Sequence, residues 1–327
     1  MALSLVSQRW VTNVTLFVVE EDHRNRDHNL RGTNKLKIFY YPTYNVDQQT
    51  ANIYEFSDFS AAHCLNKSTN NLNLEILKSI HGDIKKYFAL CLRQYQVCIN
   101  ELRYYPLFPI LQLIECKHIV ATSNMPLESI YYHYLGLLPN IIENGIPVVL
   151  RSKHGESSSS NNPHELADIF FKQIGGGNYF QNIIKYVIKF IFVNTQSLID
   201  FEAMSDIYHE KIINIGGIAI QQNNNETHPL TILFISHCGI NSSLEAVKYG
   251  KPLLCAPFIA DQFYNSQALA SREVAKVVDD RIFENIFQNI LDALNLQENM
   301  SNLQNQMNNS DINPEQTFLE KIAELNN

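Results

Sequence analysis

The stretch that decides the fold is FISHCGINSSLEAVKYGKPLLCAPFIADQFYNSQAL, residues 234–269. With the residues just before it (LTILFISH), it begins as an apolar strand, and residues 241–249 then predict a helix that ends at Gly250. A second strand (KPLLCAPF) and a second helix over residues 262–272 follow. A strand–helix–strand–helix order is typical of a parallel α/β sheet with helices packed against it.

Polar residues follow both predicted strands. His237 lies at the carboxyl end of the first strand, where open α/β sheets usually bind ligands. Gly239 allows close approach of the backbone, and the free N–H groups of the following helix can bind a phosphate. Glu245, one turn into the helix, can accept hydrogen bonds from a ribose diol. Asp261 and Gln262 follow the second strand and suit sugar hydroxyls, because one is a pure acceptor and the other both donates and accepts.

Each of these residues also has a purely structural interpretation. Ser242 and Glu245 have the spacing of a capping box, in which both side chains satisfy the start of a helix. His237 could be a hydrogen-bonded histidine of the core, and Asp261 could cap the helix that begins near Gln262. The ligand-site interpretation therefore depends on the fixed order of all these residues.

The rest of the chain follows the same α/β pattern. Strands are predicted at NVTLFVVEE and KLKIFYYP near the N-terminus, then at QVCIN, KHIVATS, GIPVVLRS and KFIFVNT. Apolar residues with helical spacing predict a helix over residues 84–92, and another is expected near residues 109–115. An apolar stripe over residues 283–294 is most simply interpreted as core packing. The polar run QQNNNETH, residues 221–228, is the best candidate for a linker.

Composition narrows the possible functions. Apolar residues make up 45% of the 327-residue chain, enough for real cores and for two domains. The net charge of −8 and the lack of a basic run argue against nucleic acid as a partner, because phosphate contacts require clustered Lys and Arg.

The six cysteines are scattered, and they are interpreted as buried thiols rather than as a zinc site. Neither a signal peptide nor a bilayer-spanning run is predicted, so the sequence favours a soluble, cytoplasmic protein.

The quoted stretch resembles the signature of the UDP-glycosyltransferases, the inverting enzymes of the GT-B fold. FVNTQSLIDF followed by KIINIGGI is similar to the segment that ends the N-terminal domain of animal and nematode members. NVTLFVVEED resembles their second strand, and YQVCINEL resembles the strand that leads to their active-site carboxylate. The resemblance is specific over residues 234–265 and looser elsewhere.

This resemblance implies a role for each matching residue. His237, Asn241 and Ser242, with the backbone near Gly239, would bind the diphosphate of a UDP-sugar. Glu245 would bind the ribose, and Asp261 with Gln262 the transferred sugar. The N-terminal half would bind a small lipophilic acceptor alcohol. Such enzymes use the UDP-sugar as co-substrate and need no metal or other cofactor, since donors and the helix dipole stabilise the leaving phosphate.

The catalytic pair of the family is a histidine oriented by a carboxylate, and Glu101 is the candidate carboxylate. The chain starts after the position of the family's histidine, and His23, His28 and His63 do not match it. The Trp-x-Pro-Gln segment that stacks on uracil has no counterpart either, because the one tryptophan is Trp10. The family's signal peptide and its membrane anchor, which hold relatives in the endoplasmic reticulum, are not found.

The sequence therefore predicts an α/β, GT-B-like chain with two Rossmann-like domains, the second incomplete. Residues 1–220 form the acceptor domain, residues 221–228 the linker, and residues 229–327 a partial UDP-sugar domain. The predicted activity is transfer of a hexosyl or glucuronosyl group from a UDP-sugar. The alternative is an inactive fragment that acts as a binding subunit, for instance by pairing with a full-length relative.

Overall fold

The computed structural model describes the C-terminal two-thirds of the chain most completely. The longer described stretches are residues 95–102, 115–147, 179–207, 209–218, 231–278 and 285–326. Shorter ones are residues 1, 4–5, 7–12, 14–20, 36–42, 65–66, 71–72, 108, 111–112 and 220.

The chain divides into two compact units, Met1–Asp83 with Glu315–Asn327, and Ile84–Pro314. In the first unit, strand β1 (Val14–Glu20) pairs in parallel with β2 (Leu36–Pro42), with Val14 opposite Leu36. Two short strands, β3 (Leu65–Asn66) and β4 (Asn71–Leu72), pair in antiparallel fashion. The predicted domain boundaries at residues 220 and 228 stay predictions.

The first sheet of the second unit is parallel, in the order β5–β6–β7–β8. Its strands are β5 (Val97–Glu101), β6 (His118–Ser123), β7 (Ile188–Val193) and β8 (Ile212–Asn214). The central strands are apolar and largely buried, because a parallel sheet is covered on both faces. Helices α1 (Ser129–Tyr134), α2 (Leu138–Glu143) and α3 (Tyr179–Asn182) follow β6, and a π-helical turn (Ile183–Val187) leads into β7.

The second sheet of this unit is also parallel, in the order β11–β10–β9. Its strands are β9 (Phe234–Ser236), β10 (Leu253–Cys255) and β11 (Ala275–Val277). Helix α4 (Ile240–Lys248) connects β9 to β10, and helix α5 (Gln262–Ser271) connects β10 to β11. Because β9 and β10 are parallel neighbours, their carboxyl ends lie at the same edge of the sheet.

Three more helices complete the described chain. They are α6 (Ile286–Leu294), α7 (Gln297–Asn308) and α8 (Pro314–Glu324). Side chains of α7, Met300 and Leu303, pack with Leu244 and Val247 of α4 in one buried cluster that fixes α4 against β10. Among the described residues, no helix combines the length and apolarity needed to cross a bilayer.

Most predicted elements that fall on described residues are confirmed. Strands β1, β2, β5, β6, β7, β9 and β10 and helices α4 and α5 lie within a few residues of the predicted positions. The predicted helix over residues 84–92, the linker 221–228, and most of the predicted elements at 109–115 and 145–152 lie outside the described residues. Strand β11 was not predicted, because three residues that include Lys276 give almost no periodic signal.

The interpretation of all cysteines as buried thiols is wrong for four of them. Cys98 is disulfide-bonded to Cys116, and Cys238 to Cys255, with Cα–Cα distances of 6.3 and 5.5 Å. Both pairs join neighbouring parallel strands or the turns next to them. The paired cysteines are 18 and 17 residues apart in the sequence. The sequence alone does not identify such pairs, because only the strand register brings the residues together. Cys64 and Cys91 lie outside the described residues.

The stripe over residues 283–294 is only partly core. Ala293 is fully buried against Leu254 of β10, and Ile290 packs beside it. On the same helix, however, Phe287 is 81% exposed and Leu291 is 54% exposed. Helix α6 therefore has more apolar surface than it buries against the other described residues.

Candidate functional site

The loop between β9 and α4 is held in an unusual backbone conformation. Cys238 has a φ of 59°, which a non-glycine residue rarely adopts. Its disulfide to Cys255 at the end of β10 and a hydrogen bond from its N–H to Ser236 Oγ (3.1 Å) hold it there. His237 is exposed and its imidazole lies over Gly239, where an added Cβ would be 2.7 Å from Nε2. The histidine thus lies directly beside the first N–H groups of α4.

The first turns of α4 present polar side chains to solvent. Asn241, the second residue of the helix, is exposed, and its Oδ1 accepts a hydrogen bond from Asn194 Nδ2 (2.9 Å). Glu245 is also exposed and bonds to no other described side chain. Ser242 is the third helical residue, so a capping box with Glu245 is wrong, because the N-cap is Gly239. His237 is not a core histidine either, since it is exposed.

Asp261 lies at the start of α5 but acts on the neighbouring helix. Its Oδ2 accepts hydrogen bonds from the N–H of Ile240 (3.3 Å) and from Asn265 Nδ2 (2.6 Å). It therefore caps α4, and the alternative interpretation that its side chain caps its own helix is wrong. With only 9% of its surface exposed, Asp261 is fixed in place at the edge of the second sheet.

Gln262 fixes the loop that precedes it. Its Oε1 accepts hydrogen bonds from the N–H groups of Phe258 (2.8 Å) and Ile259 (3.0 Å). The side-chain oxygen of Gln262 already accepts these two hydrogen bonds from the loop. The amide nitrogen is therefore the atom of the side chain that can donate to a ligand.

Glu101 lies at the carboxyl end of β5 in the first sheet. Its carboxylate accepts hydrogen bonds from Thr122 Oγ1 (3.0 Å) and from the N–H of Asn124 (3.4 Å). Both partners belong to β6 or to the turn that follows it. The candidate carboxylate is therefore held at the same edge of the first sheet as the residues that follow β6 and β7.

Asn194 connects the two sheets and was missed by the sequence analysis. It follows β7 directly, and its Nδ2 donates to the backbone oxygen of Asn124 (3.1 Å) as well as to Asn241. A polar residue immediately after the apolar run KFIFV is the signal that could have identified it, because strand ends of α/β sheets carry ligand-binding residues.

A buried polar cluster forms a second connection. Asp200 accepts hydrogen bonds from Tyr264 Oη (2.6 Å), Thr195 Oγ1 (3.3 Å) and the N–H of Phe201 (2.8 Å). Burial raises the pKa of the Asp200 carboxyl above its usual value, and these hydrogen bonds only partly oppose that rise. Arg272 donates from Nε to the Asp200 carbonyl (2.7 Å) and from a terminal nitrogen to that of Ser197 (3.1 Å). Helix α5 is thus tied to the segment after β7 at both of its ends.

The comparisons with known proteins concern the sequence of this region and the fold. The sequence profile of the family UDPGT, described as UDP-glucoronosyl and UDP-glucosyl transferase, matches residues 219–318. That range includes His237, Asn241, Glu245 and Asp261.

Curated relatives match over short segments of the same region. Linamarin synthase 1 of Manihot esculenta is 38% identical over 60 residues, which is 18% of this chain and 12% of that protein. Flavonol 3-O-glucosyltransferase of Arabidopsis thaliana is 36% identical over 73 residues, 22% of this chain and 16% of that protein. The chain therefore matches well under a quarter of the length of these relatives.

Solved structures resemble the chain over nearly its whole length. Phytolacca americana UGT2, complexed with UDP-2fluoro-glucose and pterostilbene, has a TM-score of 0.59 at 13% identity and covers 99% of this chain and 95% of its own. Os79 from O. sativa, in complex with U2F and trichothecene, has a TM-score of 0.60 at 12% identity. The match covers 99% of this chain and 96% of the Os79 chain. At such low identity the likeness concerns the fold alone.

The fold is therefore the α/β fold of the GT-B glycosyltransferases. The profile match adds that residues 219–318 are similar in sequence to the UDP-glycosyltransferases.

Proposed function

We propose that the protein transfers a hexosyl or glucuronosyl group from a UDP-sugar to a small lipophilic acceptor alcohol. One observation carries the proposal: the carboxyl ends of β9 and β10 bring His237, Asn241 and Asp261 around the N-terminus of α4, and Gln262 follows Asp261 directly. Both curated relatives described above are plant proteins, and the second is named as a glucosyltransferase, which favours glucose as the sugar.

In this proposal the diphosphate lies at the start of α4. His237 and the Nδ2 of Asn241 donate hydrogen bonds to the phosphate oxygens, and the helix N-terminus adds a favourable dipole. Ser242 and the backbone at Gly239 supply further donors, and the exposed Glu245 accepts from the ribose hydroxyls. These donors compensate the negative charge that develops on UDP as it leaves, and no metal or cofactor is part of the proposal.

The transferred sugar lies near Asp261 and Gln262. The outer oxygen of the Asp261 carboxylate accepts from sugar hydroxyls, and the Nε2 of Gln262 donates to them. The acceptor oxygen attacks the anomeric carbon, the bond from that carbon to the phosphate oxygen breaks, and UDP leaves with the electron pair. Glu101, at the corresponding edge of the first sheet, is the carboxylate of the acceptor side, and it takes the acceptor proton as the oxygen attacks.

A transfer assay tests this function directly. Purified protein is incubated with UDP-glucose and a phenolic acceptor, and released UDP and glycosylated product are both measured. His237→Ala and Asp261→Asn are expected to reduce kcat/KM by about 10-fold or more, the equivalent of one lost charge-assisted hydrogen bond. Asp261→Asn keeps the shape of the side chain, so it separates loss of charge from loss of the α4 cap.

The matched controls are His133→Ala and Asp311→Asn, which alter exposed residues outside the proposed site. Turnover that survives both site substitutions would contradict the assignment. UDP-glucose binding without any turnover would instead favour the alternative that the chain is a binding subunit.

A further inference from the structure

One side chain, Asn194, connects the edge of the first sheet to helix α4 at the proposed donor site. Its Nδ2 lies 3.1 Å from the backbone oxygen of Asn124, which follows β6, and 2.9 Å from the side chain of Asn241 in α4. Asn124 in turn donates its N–H to Glu101 at the end of β5 (3.4 Å). A continuous hydrogen-bonded path therefore leads from Glu101 through Asn124 and Asn194 to Asn241.

The chemistry of this path fixes the orientation of both asparagine amides. A backbone carbonyl can only accept, so the atom of Asn194 that faces the oxygen of Asn124 must be the nitrogen. The second hydrogen of the same nitrogen faces Asn241, whose facing atom must then be the oxygen Oδ1. The two N–H bonds of Asn241 are consequently directed away from Asn194.

This orientation matters because of where Asn241 lies. It is exposed in the first turn of the nine-residue helix α4, whose N-cap Gly239 lies against the imidazole of His237. A flipped amide would present its oxygen, and hence a partial negative charge, to the diphosphate. The fixed amide presents two donors instead, at the helix end that already favours anions.

We propose that Asn194 is a positioning residue for the donor diphosphate, which acts by holding the Asn241 amide with its N–H groups toward the phosphate oxygens and by joining α4 to the edge of the first sheet. The inference rests on the proposed function, since it assumes that a UDP-sugar binds at α4. It goes beyond it, because Asn194 itself does not contact the nucleotide.

The test is a double-substitution cycle on UDP affinity. UDP is titrated by calorimetry into wild type, Asn194→Ala, Asn241→Ala and the double variant. Loss of one oriented hydrogen bond is expected to weaken UDP binding about 3- to 10-fold in Asn194→Ala. When Asn194→Ala is added to Asn241→Ala, UDP affinity is expected to fall by less than about 2-fold, because Asn194 acts through Asn241.

A second titration separates positioning from general damage. UMP, which has a single phosphate, is expected to lose less affinity than UDP in Asn194→Ala, whereas a loosened fold weakens both equally. Asn144→Ala is the matched control, because Asn144 also donates from Nδ2 to a backbone oxygen (Asn140, 2.8 Å) but lies at the C-terminal end of α2. Asn194→Asp, which keeps the size of the side chain and removes its donors, replaces Asn194→Ala if that variant does not fold.

The outcomes are distinct. Wild type that binds no UDP contradicts the proposed function together with this inference. Wild type that binds UDP, with unchanged affinity in Asn194→Ala or with equal losses in both backgrounds of the cycle, contradicts the role of Asn194 alone.

Discussion

At Gly239, the space around the backbone determines where the side chain of a neighbouring site residue can lie. It has φ −63° and ψ 154°, which alanine also adopts without strain, but a Cβ there would lie 2.7 Å from Nε2 of His237. The absence of a side chain at position 239 thus allows the imidazole to lie over the start of α4. The glycine of HCG is needed for this contact and not for an unusual φ.

Gly239→Ala is therefore expected to displace the imidazole while leaving stability almost unchanged, since a terminal ring can move more cheaply than backbone. UDP-glucose affinity should fall several-fold in calorimetry, and the melting temperature should stay close to that of wild type. In a His237→Ala background the same substitution should have little further effect on affinity. A large loss of thermal stability, or equal losses of affinity in both backgrounds, would contradict this account.

At the scale of elements, the position of α5 depends on Arg272. Its guanidinium donates to two backbone carbonyls of the segment that follows β7, at 2.7 and 3.1 Å. Hydrogen bonds from a charged donor contribute about 1.5–3 kcal/mol each where they are protected from water, and these are partly buried. Arg272 therefore fixes the helix that carries Asp261 and Gln262 at its start.

Arg272→Ala is expected to lower the free energy of unfolding by about 2–3 kcal/mol in urea denaturation, and Arg272→Lys by less, because one carbonyl can still be satisfied. Lys276→Ala is the control, since Lys276 pairs with Asp292 on the surface. If Arg272→Ala lowers the free energy of unfolding no more than Lys276→Ala does, the role of Arg272 in fixing α5 is contradicted.

The elements also show what could be predicted from the sequence. Apolar runs such as LTILFIS and PLLCA, each followed by a helical pattern, were enough to predict β9, α4, β10 and α5, because hydrophobic periodicity is local information. Which side chains those elements bring together depends on the strand register and on the connections between strands. Both involve residues that are far apart in the sequence. For that reason the alternative that Asp261 caps its own helix is wrong, since its side chain caps α4, and the pairing of Cys238 with Cys255 was missed.

At the scale of the whole molecule, the buried Asp200 makes stability depend on pH. Burial raises its pKa in the folded protein above the usual value of an aspartate, which is about 4. Between these two values the folded state retains a proton that the unfolded state has lost. The contribution of Asp200 to the free energy of unfolding is therefore greatest at low pH and decreases as the pH rises through the folded pKa.

Asp200→Asn cannot titrate and keeps an oxygen for Tyr264 and for the N–H of Phe201. The melting temperature of Asp200→Asn relative to wild type is therefore expected to rise between pH 4.5 and pH 7.5. Asp311→Asn, at an exposed position, controls for the substitution itself. A relative melting temperature of Asp200→Asn that stays constant or falls over this range would contradict the interpretation of the cluster.

The central claim is that a UDP-sugar binds at the carboxyl ends of β9 and β10, and calorimetric titration of UDP-glucose into the protein tests it most directly. The account predicts saturable one-site binding by wild type and by His133→Ala, and binding weaker by about 10-fold or more in His237→Ala, because a hydrogen bond to a charged phosphate is lost. No binding by the folded wild type, or equal affinity in His237→Ala, would contradict it.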